Sequence, residues 1–310
     1  MKIFKKYIKI ILKLIISAFF LFWVIFKVDW LNVLKNFESI KWPFMLAYIL
    51  AVLLGMVICA YKWKVLANYK EIELSFGDFF KYYLTGTFIN NFMPSFIGGD
   101  TFKAYETGKA QNRYLEAASS VMMDRITGLL GATILTIFFT VLNLSHVLGS
   151  RTLVIANLLV ALSFLVDILI MKLRKKSFWA RFKKYFPDKV VAFMIDLGTY
   201  NNDSNILRRV TVLSFAFYFI GVALANYILF AALGIKIGLA DYLSAIFLIS
   251  IVSSIPISIN NIGIKEWTYI AFFGAFGVSA SAAVTVAIIS RFVQMLISFF
   301  ALPVYLRARK

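Results

Sequence analysis

Apolar residues fall along the chain in long runs, not in alternating or one-sided patterns. Such runs cover roughly 8–26, 43–61, 119–142, 152–171, 210–233 and 280–303. Each is long enough, at about 1.5 Å per helical residue, to cross the hydrocarbon core of a bilayer. The pattern predicts an all-α polytopic membrane protein, one integral domain over 1–310 with about six full spans. Two other apolar stretches are broken by polar and helix-disrupting residues. One is FFKYYLTGTFINNFMPSFI at 79–97; the other, near 242–277, contains IPISINNIGIKEW. The first run follows MKIFKKYIK and leads into FWVIFKVDW, a poor signal-peptidase site, so it reads as a retained span.

Composition strengthens the membrane reading. Of 310 residues 61% are hydrophobic, and the mean hydropathy is +0.83, whereas soluble domains are about half apolar. The formal charge is +18. In a membrane protein that excess reads as topology signals and contacts to lipid headgroups, and no nucleic-acid partner is expected. One Cys and one His (Cys59 and His146) exclude a disulfide framework and a Cys/His metal cluster. No cofactor is expected, and no G-x-x-x-x-G-K-[ST] is present for ATP hydrolysis.

The basic residues orient the chain. The amino-terminal lysines, YKWKVLANYK, the block KLRKKSFWARFKKYFPDK and the terminal LRARK are basic; the loops NLSHVLGSR and GIKIGLAD carry one basic residue each. By the positive-inside rule both termini are cytoplasmic. The assignment is self-consistent if both broken stretches enter the membrane and return to their own side, near 79–105 from the cytoplasm and near 242–277 from outside. The segment 172–209 is too polar to span and reads as a basic cytoplasmic loop or an interfacial helix.

The two broken stretches resemble each other. MPSFIGGDTFKAY and IPISINNIGIKEW both run Pro, Ser, Gly, then an acid beside a Lys. Downstream, Arg125 follows Ala117 and Arg291 follows Ala283 by the same offset. Residues 43–142 and 210–303 thus read as inverted repeats, each with a re-entrant helical hairpin. Paired broken segments of this kind point to a transport site near the bilayer midplane. Pro and Gly free backbone groups there, which is tolerated only where protein or a water-filled cavity covers them. Asn90, Asn91, Ser95, Ser258, Asn260 and Asn261 add polar side chains. Asp100, Lys103, Asp124, Arg125, Lys265, Glu266 and Arg291 lie at or near membrane depth, where charges are costly and usually functional. Close packing of small and polar residues between helices would produce some of the same pattern. Asp124 reads either as an ion-pair partner of Arg125 or as an interfacial residue. Arg291 has no acidic neighbour in sequence and reads as the freer anion ligand.

NNFMPSFIGGDTFKAY, AASSVMMDRITGLL and PISINNIGIKE together resemble the lysylphosphatidylglycerol synthase transmembrane-region family, over roughly 10–305. The shared motifs are Pro-Ser-x-x-Gly-Gly-Asp with a following base, then Asp-Arg, then Gly-x-x-Glu. Lys103 and Lys265 stand where many relatives carry Arg, and Asn261 where they often carry Gly, so the charge is kept without the bidentate fork. The resemblance implies a lipid flippase. In the bacterial multiple peptide resistance factor such a region moves lysyl-phosphatidylglycerol and is joined to an aminoacyltransferase domain, which is not expected here. Stand-alone relatives are linked to polyprenyl-phosphate sugars.

The leading expectation is therefore a flippase or scramblase in the cytoplasmic membrane for a lipid with a phosphate headgroup, not an enzyme. Lys103, Arg125, Lys265 and Arg291 would contact phosphate, and Asp100 and Glu266 would hold those bases. The alternatives are a membrane glycosyl or phosphoryl transferase, a scaffold docking a partner synthase or glycosyltransferase through 172–209, and a solute transporter.

Overall fold

The computed structural model describes the backbone of residues 2–92, 98–173, 186–255 and 258–308. Side chains are described within those segments from residue 14, except at 163, 166–173, 259 and 308. Pro94, Ser95 and Pro256 lie outside the described residues, as does much of the basic block after 173. All regular elements among the described residues are helical.

The chain opens with α1 (Lys2–Lys27) and turns by 83° into α2 (Trp30–Ser39). Asp29 makes that turn, its carboxylate accepting from the first amides of α2, Leu31 N and Asn32 N. The next helix, α3 (Trp42–Asn68), carries Pro43 in its first turn, where the missing N–H has no helical partner to lose. Then follow α4 (Phe76–Phe92), α5 (Gly98–Gln111), α6 (Tyr114–Leu142), the short α7 (Leu144–Leu148) and α8 (Arg151–Leu173). After α9 (Asp188–Gly198) and a 3-10 turn (Thr199–Asn202), one continuous rod is formed by α10 (Ser204–Ala216), a π-helical segment (Phe217–Leu224) and α11 (Ala225–Ala232). The chain closes with α12 (Leu239–Ser254), a 3-10 turn (Ile259–Asn261), α13 (Ile264–Gly274), α14 (Ala280–Phe299) and α15 (Leu302–Ala308).

Among the described residues four helices are long and apolar enough to cross a membrane: Trp42–Asn68, Tyr114–Leu142, Ser204–Ala232 and Ala280–Phe299. The bent α1–α2 pair meets the same length and composition if it is one broken span. The run expected at 152–171 is helical as α8, whose described apolar part is Arg151–Leu162. The main difference from expectation is length. The span expected at 43–61 continues to Asn68, so Lys62 and Lys64 sit inside the helix instead of beyond its end.

Contacts sort the loops into two ends of the bundle. At one end Lys70 pairs with Asp196, Tyr69 donates to the Thr199 carbonyl, and Gln111 bonds to Glu73. The described part of 172–209 belongs here, with Leu197, Tyr200 and Ile206 packed against Leu66 and Met123. It is docked on the bundle, not a free loop. At the other end Asn143 and His146 both contact Asp241, and Ser281 donates to the Asp29 carbonyl. The largest apolar core lies around α12, α13 and α14, with Phe230, Phe247 and Phe273 fully enclosed. Where α3 crosses the π-helical segment, a Cβ added to Gly55 would meet Gly221 Cα at 2.6 Å, so only glycines allow that approach.

Both interrupted stretches fold as antiparallel helical hairpins. In the first, α4 and α5 meet at Gly86 and Gly99, with Tyr82 facing Phe102. In the second, Tyr242 at the start of α12 stacks on Phe273 at the end of α13.

Candidate functional site

The first hairpin holds a cluster of charges. Asn90 Oδ1, in the last turn of α4, accepts from Gly99 N at 2.9 Å, which ties the start of α5 back to α4. A Cβ on Gly99 would lie 2.0 Å from the Gly86 carbonyl oxygen, so the glycine pair sets how closely the two arms run. That closeness places Asp100, in the first turn of α5, where helix N-termini favour a carboxylate. Lys103 Nζ lies 2.9 Å from Asp100 Oδ1. Arg125, from α6, donates Nε to Asp100 Oδ2. Lys103 is buried, and its ammonium also lies over the rings of Trp63 and Tyr83, at 5.3 and 5.4 Å.

Asp124 does not pair with Arg125. Successive residues on a helix point about 100° apart, so the two side chains diverge. Asp124 Oδ1 faces Lys62 Nζ at 3.0 Å, a charge contact in which the ammonium directs its hydrogen bonds to the Asp124 carbonyl and to Ser214 Oγ. Lys62 is 4% exposed. Its place in the sequence reads as a topology signal, and sequence reasoning missed it. The available signal was an ionisable residue inside an apolar run, which is a functional candidate by default. These groups line a cavity of ≈ 270 Å³ whose charged walls are Lys62, Asp100, Lys103, Asp124 and Arg125. Three cations face two carboxylates there, leaving an excess positive charge.

The second hairpin turns through Asn260, Asn261 and Gly263, with φ of 49°, 54° and 82°. Asn tolerates the left-handed region better than most residues, and Gly enters it freely. Arg291, from α14, holds this turn. Its Nε donates to Glu266 Oε1 at 2.9 Å, Nη1 to the Asn260 carbonyl at 2.8 Å and Nη2 to the Asn261 carbonyl at 3.0 Å. Glu266 spends its other oxygen on Gly263 N at 2.8 Å. Arg291 is thus a clamp on a strained turn, and the expectation of it as the freer anion ligand is corrected. Lys265 donates to Ser290 Oγ at 2.7 Å and lies over the Tyr269 ring. With Arg291 it lines a second cavity of ≈ 250 Å³, whose polar wall also includes Asn226, Ser250, Ser253, Asn261 and Gln294. Ser253 Oγ and Asn261 Oδ1 are buried there with no hydrogen-bond partner among the described residues.

The turn of the second hairpin touches the end of α4 in the first. Asn260 Nδ2 donates to the Asn91 carbonyl at 3.0 Å, and Asn91 Nδ2 donates to Ser298 Oγ at 2.9 Å. The π-helical segment walls off the two cavities from each other, with Phe217 and Tyr218 facing the first and Gly221 and Val222 the second. Ser258 is buried without a hydrogen-bond partner among the described residues and lines neither cavity. Ser95 lies outside the described residues. Both hairpins share one feature that the sequence carries but that its Pro and Ala spacings did not reveal. The acid and the arginine that pair are 25 residues apart in each, Asp100 with Arg125 and Glu266 with Arg291, and each arginine uses Nε. Among the described residues no three or more His, Cys, Asp or Glu side chains come together as metal ligands would.

The chain matches the family described as the lysylphosphatidylglycerol synthase TM region over residues 10–301. It is 25% identical over 279 residues to a UPF0104 membrane protein of Methanocaldococcus jannaschii, covering 81% of this chain and 80% of that one. It is 24% identical over 274 residues to a UPF0104 membrane protein of Methanothermobacter thermautotrophicus, covering 79% and 80%. No solved structure matches it at a significant level.

Proposed function

We propose, for a chain that belongs to the lysylphosphatidylglycerol synthase transmembrane-region family, that it carries the phosphate headgroup of a membrane lipid across the bilayer, as a flippase or scramblase. The observation that supports this most is the cationic excess of the first cavity: Lys62, Lys103 and Arg125 against Asp100 and Asp124, inside an otherwise apolar bundle. Burying such a set is costly unless an anion completes it. Lys103 and Arg125 share one carboxylate, so either can turn to a phosphate while Asp100 keeps its partner.

The second cavity lies across the π-helical segment and is lined by Lys265 and Arg291. In this reading the hairpins are re-entrant, the repeats are inverted, and the headgroup passes from one cavity to the other where the second turn meets the end of α4. The end that carries Lys70, Arg113 and the 172–209 segment is cytoplasmic by the positive-inside rule. The lipid is an aminoacyl-phosphatidylglycerol or a polyprenyl-phosphate-linked sugar, both of which offer a phosphate to Lys103 and Arg125.

The test is translocation in proteoliposomes with phosphatidylglycerol, lysyl-phosphatidylglycerol and a short polyprenyl-phosphate sugar. Wild type is expected to move at least one of them, and Lys103→Gln and Arg125→Gln to slow it by about tenfold, the cost of roughly one charge-assisted contact. A folded wild type that moves none of the three lipids, or variants as fast as wild type, would contradict the proposal.

A further inference from the structure

The polar cavity at the first hairpin does not stand alone. Beside it runs an apolar groove of ≈ 620 Å³, bounded by α6, α8, α12 and α13. Leu129 and Ser254 line both spaces, so the groove and the cavity adjoin. The face of α6 grades from one to the other: Arg125 lies in the cavity, Leu129 in both, and Thr133 in the groove. Those positions are four residues apart, hence about 6 Å per step on one helix face. A molecule with a charged end at Arg125 and a hydrocarbon chain along α6 would meet a matching surface at each step. The volume is within the range of sites that enclose a ligand, about 300–1,000 Å³.

We propose that this groove holds one hydrocarbon chain of the same lipid whose phosphate sits in the first cavity. The inference rests on the headgroup reading above and adds a binding site for the tail. Its floor is Phe272 and Thr133, both 1% exposed. Its rim is Ile155, Leu159 and Ile255, all exposed, so a chain can enter sideways from the bilayer. One wall of the groove is built by α8, which lies outside both repeats. That gives α8 a role in binding: it closes a tail channel on the first cavity. Among the described residues, the lining of the second cavity includes none that line this groove. In this proposal the tail is held in the state in which the headgroup occupies the first cavity.

The test is photo-crosslinking with phosphatidylglycerol that bears a diazirine at the end of one acyl chain, in nanodiscs of phosphatidylcholine, with adducts mapped by mass spectrometry. In wild type, adducts are expected to concentrate on 152–160, 251–255 and 267–272 relative to the exposed face of α1 at Phe22 and Phe26. Ala156→Trp, which fills the groove, is expected to lower groove adducts by about fivefold or more, and Leu158→Trp on the outer side of α8 to leave them unchanged. Lys103→Gln is expected to lower them by about threefold or more, because the headgroup anchors the chain. Equal labelling of the groove and of α1 would overturn the proposal and identify ordinary annular lipid, while translocation that depends on Lys103 would leave the headgroup reading standing. Groove labelling that ignores Lys103→Gln would overturn the link between tail and cavity. Should Ala156→Trp fail to fold, wild-type labelling and its dependence on Lys103 still decide.

Discussion

The two hairpins build the same ion pair and use it differently. Each sets an acid near the start of its second arm and an arginine 25 residues later on the next long helix. At the second hairpin the pair is a clamp. Arg291 divides three donors among Glu266 and two backbone carbonyls, and its side chain is 18% exposed. At the first, Arg125 is 34% exposed, and Asp100 also holds Lys103; each arginine lines the cavity of its own hairpin. At the second hairpin Asn260 and Asn261 are left-handed and present carbonyls that need donors, so an arginine is drawn onto the backbone. At the first, Asn90 Oδ1 accepts from Gly99 N, and Asp100 is shared between Arg125 and Lys103. The common spacing supports the repeat, while the acid of the first copy holds two cations and that of the second holds one and a backbone amide.

The largest expected effect comes from breaking the brace. Arg291→Ala leaves Glu266 unpaired and two carbonyls without donors, and is expected to destabilise the protein by about 3–5 kcal/mol, seen as a drop in unfolding temperature in detergent. Arg291→Lys keeps the charge, but a single ammonium nitrogen cannot reach acceptors that the guanidinium serves from three separate nitrogens, and it should recover only part of that loss. Next is Gly99→Ala, whose Cβ would lie 2.0 Å from the Gly86 carbonyl oxygen. Forcing the α4–α5 hairpin apart is expected to cost about 1–3 kcal/mol and to abolish lipid movement, in thermal denaturation and translocation assays on one preparation. Lys103→Gln is expected to slow translocation by about tenfold with a much smaller change in unfolding temperature. The smallest effect is Asn260→Ala, which removes the hydrogen bond from the second turn to the end of α4. It should cost about 1 kcal/mol and slow exchange between the cavities severalfold, measured as the rate of headgroup quenching.

Much of the helical framework was legible because apolar run length alone sets it. The interrupted stretches were legible too, since Pro, Gly and Asn in an apolar run leave a clear mark. The division of labour between Arg125 and Arg291 was not. A pairing 25 residues distant crosses a helix and a turn, and no local pattern announces it. The sequence also favoured Arg291 as the open anion ligand for lack of an acidic neighbour, when Glu266 is its partner in space. Lys62 was misread for a similar reason. A lysine near the end of an apolar run looks like a topology signal until the helix is seen to continue to Asn68 and Asp124 is seen opposite. Of the two readings open for Asp124, pairing with Arg125 fails because adjacency in sequence is not adjacency on a helix, and its partner is Lys62.

The most direct test of the division between binding and bracing is a paired measurement on Lys103→Gln and Arg291→Lys: lipid translocation in proteoliposomes and unfolding temperature in detergent, from the same preparations. The expected result is that Lys103→Gln loses transport by about tenfold while keeping its unfolding temperature, and that Arg291→Lys loses unfolding temperature. Full transport by Lys103→Gln, or an unchanged unfolding temperature for Arg291→Lys, would contradict it.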